Sequence, residues 1–467
     1  NEPGPSSNNP NSRNDAGAAI SNQVPGQGSV AGPLFKLVRQ RPVDRCSPWE
    51  AHMVIAAAFI LLVFGYSLVS RRLESTLITA PIIFTAAGAL MFLVPETSRE
   101  LFIDRKALLL IAEVGLVMTL FTDASRINRK ALSDNRRLPV RLLSTGMLLT
   151  ILLGAAAAMA CFTGLSWWEA GILAAILAPT DAGLGQIIVN SPRVPARIRQ
   201  ALNVEAGLND GLAVPFLMLF IALAATLEEG IRPRGVLAQF LLDQIGYGTA
   251  IGLAIGLGGG MLMGLAQRRR WMSPELGQLG VVAMPLLCLL AAEETGASMF
   301  IAAFIAGLAA QLGFPKVGRH SVEFTEGWGQ MFDFFVFFLF GLLFARNWHD
   351  FTPATLLYAL LSLTVVRMLP VAVAVAGIGL SRATVLFLGW FGPRGLASIV
   401  LGLVYLEQQT NLPGEDTVRL AVMATVLLSV VAHGLSAKPG IERYARDCDA
   451  LAPDAPEHTV VDGTVDK

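Results

Sequence analysis

Long blocks of apolar residues follow one another along the chain and are separated by short polar stretches. A helix of about 20 apolar residues crosses a bilayer, and thirteen blocks reach or approach that length. Their limits are 51–70, 76–95, 106–124, 138–162, 166–190, 200–225, 237–265, 276–294, 298–313, 328–345, 355–378, 383–406 and 417–436. The pattern predicts an all-α polytopic membrane protein with about 13 transmembrane helices, in one membrane domain over residues 49–437.

The two ends of the chain lack apolar blocks of this length. Residues 1–35 are rich in Asn, Ser, Gly and Pro, which is typical of disorder, and residues 31–48 carry basic side chains that suit a membrane interface. We therefore predict a disordered or interfacial N-terminal tail over residues 1–48. Residues 438–467 are predicted to be a short cytoplasmic C-terminal tail, too small for a separate folded domain.

Composition narrows the class of protein. The 467 residues are 54% hydrophobic and 15% charged, and the 35 basic residues balance the 35 acidic ones. A neutral and apolar chain is not typical of a nucleic-acid-binding protein, so the partner that the composition indicates is the lipid bilayer. The four cysteines are far apart, and no H-E-x-x-H, Walker A or G-x-S-x-G string occurs. We therefore expect neither a cofactor nor an enzyme activity.

The basic residues are sorted between the two ends of the predicted helices. Twenty Lys and Arg residues lie in loops after odd-numbered segments or early in the C-terminal tail, against seven after even-numbered segments. The positive-inside rule then predicts a plasma-membrane protein with a cytoplasmic C-terminus, and thirteen spans place the N-terminus outside. Basic residues before the first span, such as Lys36 and Arg39, disagree with this orientation. Either residues 31–48 form an interfacial helix, or the number of spans is off by one.

Few charges remain inside the predicted spans. With Lys106, Arg141 and Arg419 counted at the span ends, the basic ones are Arg367 and Arg394. The acidic ones well inside a span are Glu113, Asp181, Glu205, Asp210, Asp333 and, nearer the start of its span, Asp243. A charge at mid-bilayer costs roughly 2.5–3.5 kcal/mol on insertion scales, so such residues pair, take up a proton or bind an ion. As a group they indicate a transport path, but Asp333 is more typical of a packing residue, and Asp123 and Asp243 are predicted to be interfacial.

Two of the predicted helices are interrupted. Pro179 breaks segment 166–190 and Pro393 breaks segment 383–406, each with glycines nearby. The two segments are the fifth and the twelfth, so they lie seven apart, as expected for an inverted repeat of segments one to six and eight to thirteen. Paired breaks of this kind mark the substrate site of a transporter, and the alternative is two unrelated proline kinks.

The sixth segment carries a buried acidic motif. Glu205 and Asn209 are four residues apart and share a helix face with their near neighbour Asp210. A buried carboxylate that balances desolvation against nearby positive charge can exchange a proton for a cation, which is the chemistry of an antiporter. Arg367 in the eleventh segment is the natural partner of Glu205, and that pair would be structural.

Three strings carry a resemblance to a known family: APTDAGLGQIIV at 178–189, VPARIRQALNVEAGLNDGLAVP at 194–215 and FGPRGLASIV at 391–400. With them the chain resembles the NhaP-type branch of the monovalent cation:proton antiporter superfamily. The resemblance implies thirteen helices, two inverted six-helix repeats, crossed discontinuous helices in segments 5 and 12, and a homodimer.

The resemblance also implies the ion site. Asp210 is similar to the family's ion- and proton-binding aspartate, and Asn209 to the asparagine of its electroneutral branch. Thr180 and Asp181 resemble the Thr-Asp pair of the first broken helix, so a sodium or similar monovalent cation is expected at Asp210 with both of them. Ala206 stands where many members have serine, which leaves the choice of cation open.

Four further residues resemble family positions. Glu205 and Arg367 are similar to the buried ion pair, and Arg394 to the arginine that compensates charge at the second broken helix. Glu113 is either the family's third-helix acid, which helps to bind the ion, or a structural residue, because its segment contains no motif that fixes the alignment.

The predicted function is antiport of sodium, or of another monovalent cation such as lithium or potassium, against protons. Asn209 predicts electroneutral one-for-one exchange, and alternating access is the expected mechanism. The alternatives are a transporter of another ion or of a small organic anion on the same fold, and a passive cation channel.

One helix carries glycines at every fourth position: Gly248, Gly252, Gly256, Gly260 and Gly264. Small residues on one face let another helix approach closely. The stripe predicts either internal helix packing or a dimer contact.

Overall fold

The computed structural model describes residues 48–73, 76–94, 105–126, 137–228, 241–315, 317–407 and 412–458. All regular secondary structure in these ranges is helical. The predicted N-terminal tail, 1–48, lies outside the described residues except for Pro48, where the first helix begins.

Each predicted apolar block coincides with helical residues, and the helices are numbered here by block. They are α1 Pro48–Leu73, α2 Ala80–Met91, α3 Arg105–Arg126, α4 Arg137–Cys161, α5a Trp167–Ile176, α5b Ala182–Val189, α6 Ala196–Glu228, α7 Leu242–Arg268, α8 Pro274–Thr295, α9 Met299–Gly313, α10 Val317–Arg346, α11 Pro353–Val375, α12a Arg382–Trp390, α12b Leu396–Glu407 and α13 Glu415–Asp449. Within the described ranges, eight helices are long and apolar enough to cross a membrane. The prediction of an all-helical membrane protein is therefore confirmed, while the number of thirteen spans and the inverted repeats remain predictions.

Both predicted interruptions are present. Residues 177–181 separate α5a from α5b, and residues 391–395 separate α12a from α12b. Each interruption contains a proline, which has no backbone amide to donate to the preceding turn and so ends regular helix.

The last helix is longer than its apolar block. α13 continues to Asp449, whereas hydropathy ends the block at residue 436. Beyond that point Ala437, Ile441, Tyr444 and Cys448 are buried and recur at helical spacing. The opposite face is charged, so the average hydropathy falls although the buried stripe continues.

The glycine stripe of α7 is an internal packing surface. All five glycines are buried, and α7 packs along α9. A Cβ added at Gly252, Gly256 or Gly260 would lie 2.5 Å from a backbone carbonyl oxygen of α9. The stripe is thus covered by the same chain, and the alternative of a dimer contact is wrong.

Two groups of buried apolar side chains hold the helices together. The larger one runs through most of the helices. The smaller one joins the ends of α6, α11, α12a and α13 and includes Ile198, Val371, Phe387 and Tyr444. Tyr444 stacks on Phe387 with ring centroids 4.1 Å apart, so the extended part of α13 packs on the first half of an interrupted segment.

Candidate functional site

The two interruptions meet in space, and Asp181 joins them. The Asp181 amide donates to the Pro393 carbonyl oxygen at 2.8 Å. The Asp181 side chain accepts hydrogen bonds from the Leu184 amide at 3.0 Å and from the Leu396 amide at 2.6 Å, one on each carboxylate oxygen. These amides belong to the first turns of α5b and α12b, whose helix dipoles favour a negative charge at that point. One carboxylate therefore caps both half-helices.

Gly395 makes this contact possible. A Cβ at that position would overlap Asp181 Oδ2. Any other residue would have to push the carboxylate away from the Leu396 amide. The glycine that follows Arg394 is therefore required by the approach of Asp181.

Arg394 supplies the opposite charge at the same crossing. It is fully buried, and its Nη1 donates to the carbonyl oxygens of Pro179 at 3.1 Å and Gly392 at 3.2 Å. Those carbonyls lie just beyond α5a and α12a, where the helix dipoles favour a positive charge. The guanidinium thus faces the carbonyl ends of one pair of half-helices, while Asp181 faces the amide ends of the other pair.

α6 places Asn209 and Asp210 beside the crossing. Asn209 Nδ2 donates to Thr180 Oγ1 at 2.7 Å, and both residues are buried. Within the described part of the chain, Asn209 Oδ1 and Asp210 Oδ1 have no hydrogen-bond partner. A buried oxygen without a donor is costly, and a monovalent cation or a proton would satisfy it.

Two further acidic residues lie near this site, although hydropathy had assigned both of them to other roles. Asp123 of α3, predicted to be interfacial, packs beside Gly207, and its carboxylate lies within electrostatic range of Asp210. Asp333 of α10, predicted to be a packing residue, interacts in the same way with Asp181 and Asp123. Asp123 lies near the end of α3 and Asp333 near the middle of α10. Asp333 also lines a cavity that reaches Asp181, so its role is not confined to packing, while the interfacial position of Asp123 stays a prediction. The signal available in the sequence was an acid at the end of a nearly uninterrupted apolar block.

Glu113 does not belong to this group. Its electrostatic neighbours are Glu293 of α8 and Glu407 of α12b. On α3 it lies ten residues before Asp123, about 15 Å along the axis at the usual helical rise. The structure therefore places Glu113 away from Asp210.

The expected partner of Glu205 is Arg367. Arg367 Nη1 lies 2.5 Å from Glu205 Oε1, and both side chains are 4% exposed. Arg367 Nη2 also reaches the Leu388 carbonyl oxygen at 3.5 Å, so the pair ties α6 to α11 and to α12a. A Cβ at Gly392 would overlap the guanidinium, which explains a second glycine of the interruption.

A cavity of about 620 Å³ reaches the crossing. Its lining includes Asp181, Asp333 and Gln330, the loop 76–81 and Lys438. The charge pattern assigns that loop and Lys438 to the cytoplasmic face. The cavity therefore connects the carboxylates of the crossing with the predicted cytoplasmic side.

Ser429 and His433 of α13 complete the polar network, and sequence reasoning missed both. Ser429 Oγ accepts a 2.6 Å hydrogen bond from the Arg394 amide. His433 Nε2 lies 2.8 Å from the Trp390 carbonyl oxygen, and its Nδ1 lies 3.0 Å from the Ser429 carbonyl oxygen. Both residues satisfy backbone groups that the broken helix leaves without partners. An isolated serine and histidine in an apolar helix gave no motif that could have identified them.

The sequence of this chain is similar to those of several known proteins. A family model described as sodium/hydrogen exchanger, transmembrane, matches residues 57–443. The K(+)/H(+) antiporter NhaP of Alkalimonas amylolytica is 28% identical over 341 residues, covering 71% of this chain and 56% of that protein. The K(+)/H(+) antiporter NhaP2 of Shewanella sp. (strain ANA-3) is 26% identical over 283 residues, covering 58% and 46%. The chain thus spans about half the length of these relatives. A Na(+)/H(+) antiporter of Schizosaccharomyces pombe is 26% identical over 358 residues, covering 70% and 75%.

The fold is similar to that of a solved structure. The sodium proton antiporter MjNhaP1 from Methanocaldococcus jannaschii, at pH 8, superposes with a TM-score of 0.63 at 19% identity. The match covers 85% of this chain and 99% of that one. At this level of identity the likeness concerns the arrangement of the helices.

Proposed function

The chain belongs to the sodium/hydrogen exchanger family, and on this premise we propose that it exchanges a monovalent cation for protons through Asp210. Membership confirms the resemblance to NhaP-type antiporters and the prediction of a transporter and not an enzyme. The chain is a multi-pass membrane protein; a plasma-membrane location, a cytoplasmic C-terminus and a homodimer are parts of the proposal.

The observation that carries the proposal is the pair of buried oxygens beside the crossing. Asn209 Oδ1 and Asp210 Oδ1 lack donors among the described residues. Among the described residues, the acidic side chains Asp123 and Asp181 act electrostatically on the Asp210 carboxylate. A buried charge in such surroundings has to be neutralised, either by a proton or by a cation. The same carboxylate therefore binds the two ligands in turn, which couples their transport.

The ligands of the cation can be inferred from which oxygens already accept a hydrogen bond and which do not. Both oxygens of Asp181 accept backbone amides, so its first role is to cap the half-helices, and it adds negative potential to the ion site. Asp210 and the Asn209 carbonyl oxygen supply the principal ligands, and Thr180 orients Asn209. Relatives are named as antiporters of Na⁺ and of K⁺, so sodium, potassium and lithium are all candidates.

The stoichiometry follows from Asn209. Because this residue is neutral, Asp210 is the group that changes its ligand in each cycle, and one cation replaces one proton. Exchange should therefore be electroneutral. The cavity that reaches Asp181 supplies access from the predicted cytoplasmic side, and alternating access requires the crossing to move until the opposite side opens.

The test is cation-driven proton flux in proteoliposomes with sodium, potassium or lithium at imposed pH gradients. We expect flux with at least one cation, no response to an imposed membrane potential, and loss of flux in Asp210→Asn. The matched control is Glu113→Gln, which neutralises a partly buried acid away from the crossing and should retain exchange. Flux in Asp210→Asn at the wild-type rate would contradict the mechanism. Cation flux without proton movement would indicate a channel.

A further inference from the structure

The first halves of the two interrupted segments begin with different capping arrangements. α5a begins at a complete capping box: Ser166 accepts from the Glu169 amide, and Glu169 accepts from the Ser166 amide at 2.8 Å. α12a begins with Ser381, which accepts from the Thr384 amide at 3.2 Å. Threonine at the third position does not accept the Ser381 amide in return. The acid of the box is therefore missing from α12a itself.

Glu457 supplies that acid from the far end of the chain. Glu457 Oε1 accepts the Ser381 amide at 2.8 Å and the Thr384 hydroxyl at 2.7 Å, although 76 residues separate it from Ser381. The side chain is 2% exposed. It thus makes toward Ser381 the same contact that Glu169 makes toward Ser166.

The segment that carries Glu457 is held by further contacts. Residues 450–458, named here the C-terminal clasp, follow the end of α13. The Pro456 carbonyl oxygen accepts Arg197 Nη1 at 2.6 Å, and Arg197 interacts electrostatically with Glu457. Thr384 Oγ1 also lies 3.0 Å from the Tyr444 hydroxyl of α13. The clasp therefore joins the start of α6 to the start of α12a.

Both helices lead to the ion site. α6 carries Asp210, and α12a ends at the residues that cross Asp181. The capping box satisfies two amides at the start of a helix that have no partner within it, and so fixes where the helix begins. Loss of the cap would let α12a shift against α6 and so change the geometry of the crossing.

We propose that the C-terminal clasp completes the capping box of the second interrupted segment, and that Glu457 is a positioning residue for transport. Glu457 touches neither Asp210 nor the crossing, so it acts through α12a. This inference rests on the proposed antiport function for its transport effect, but not for the docking of the clasp.

The test separates docking from transport. Hydrogen exchange of the Ser381 amide reports docking directly, because that amide is a donor to Glu457. In Glu457→Ala we expect hydrogen exchange of the Ser381 amide to accelerate about fivefold, because the loss of one N-cap costs ~1 kcal/mol. Asp454→Ala is the matched control, since Asp454 is an exposed acid of the same clasp. In this variant the Ser381 amide should exchange its hydrogen at the wild-type rate.

Transport is measured on the same proteins in proteoliposomes. A positioning role predicts a rise of about fivefold in the KM for the cation in Glu457→Ala, whereas a loss of folded protein would lower only the maximal rate. Glu457→Gln keeps an acceptor oxygen and should restore most of the wild-type KM. The double variant Thr384→Glu with Glu457→Ala places the acid inside α12a and offers a second rescue.

The outcomes are distinct. Unchanged exchange of the Ser381 amide in Glu457→Ala would overturn the docking. Accelerated hydrogen exchange of the Ser381 amide together with a wild-type KM for the cation would overturn the positioning role. A wild-type protein that transports no cation would overturn the proposed function and the transport role with it, while the amide measurement would still decide whether the clasp docks.

Discussion

The backbone amide of Leu396 donates a 2.6 Å hydrogen bond to Asp181, so a side chain of one interrupted segment caps the half-helix of the other. The Leu184 amide donates to the second carboxylate oxygen of the same residue. The two half-helices therefore share one counter-charge and cannot move independently without losing it. This makes the crossing a single unit, as a moving transport core requires.

The first prediction concerns that shared carboxylate. Asp181→Asn removes the charge and turns one acceptor into an NH₂ group that faces a backbone amide. Hydrogen bonds to charged groups contribute about 1.5–3 kcal/mol each, so we expect a loss of about 2–4 kcal/mol in stability. Thermal unfolding in detergent measures the loss, and exchange in proteoliposomes should fall with it. An Asp181→Asn protein as stable as the wild type would show that the cap is not needed.

A pair of glycines provides the second prediction. In Gly395→Ala the new methyl group would overlap Asp181 Oδ2, whereas at Gly185 of α5b nothing lies within 4 Å of an added Cβ. We expect Gly395→Ala to destabilise the protein by about 1–3 kcal/mol or more, as overpacking does. Gly185→Ala should be neutral or slightly stabilising, because alanine favours helix. Equal melting temperatures for the two variants would contradict the proposed contact.

The interruptions and the ion pair could be predicted from sequence, because the first depend on one residue type and the second on the small number of basic side chains inside the spans. Proline lacks an amide wherever it stands, and Arg367 and Arg394 were the only two bases available to the buried acids. Asp123 could not be assigned in this way, since its role depends on which face of α3 meets α6. Hydropathy averages over faces, so the charged side of α13 concealed the buried stripe that ends at Cys448.

The third prediction tests Glu205 and Arg367, whose charged atoms lie 2.5 Å apart. Removing one partner leaves an unpaired buried charge, so Arg367→Ala should cost about 3–5 kcal/mol. Replacing both, as Glu205→Leu with Arg367→Met, should cost less than the sum of the single changes. A double-mutant cycle on thermal or denaturant unfolding gives this coupling. Additive effects of the two single variants would mean that the pair does not contribute as a unit.

The last prediction concerns the pH dependence of the C-terminal clasp. Burial alone would raise the pKa of Glu457, but the hydrogen bonds from Ser381 and Thr384 outweigh it, so the pKa lies below the ordinary value of 4.5. Ionisable side chains that interact with it electrostatically include Arg197, Tyr444 and Cys448. None of these side chain types ordinarily changes charge between about pH 3 and pH 7.

A carboxylate whose pKa is depressed by folding stabilises the protein above its unfolded pKa, and the contribution disappears as the pH falls through the folded value. The stability difference between wild type and Glu457→Gln should therefore be constant at neutral and mildly acidic pH and vanish only below 4.5. Thermal unfolding of both proteins across a pH series measures it, with Asp454→Asn as the exposed control. If the difference disappeared near neutral pH, the pKa of Glu457 would be raised by burial and not lowered by hydrogen bonds, and the contacts from Ser381 and Thr384 would be contradicted.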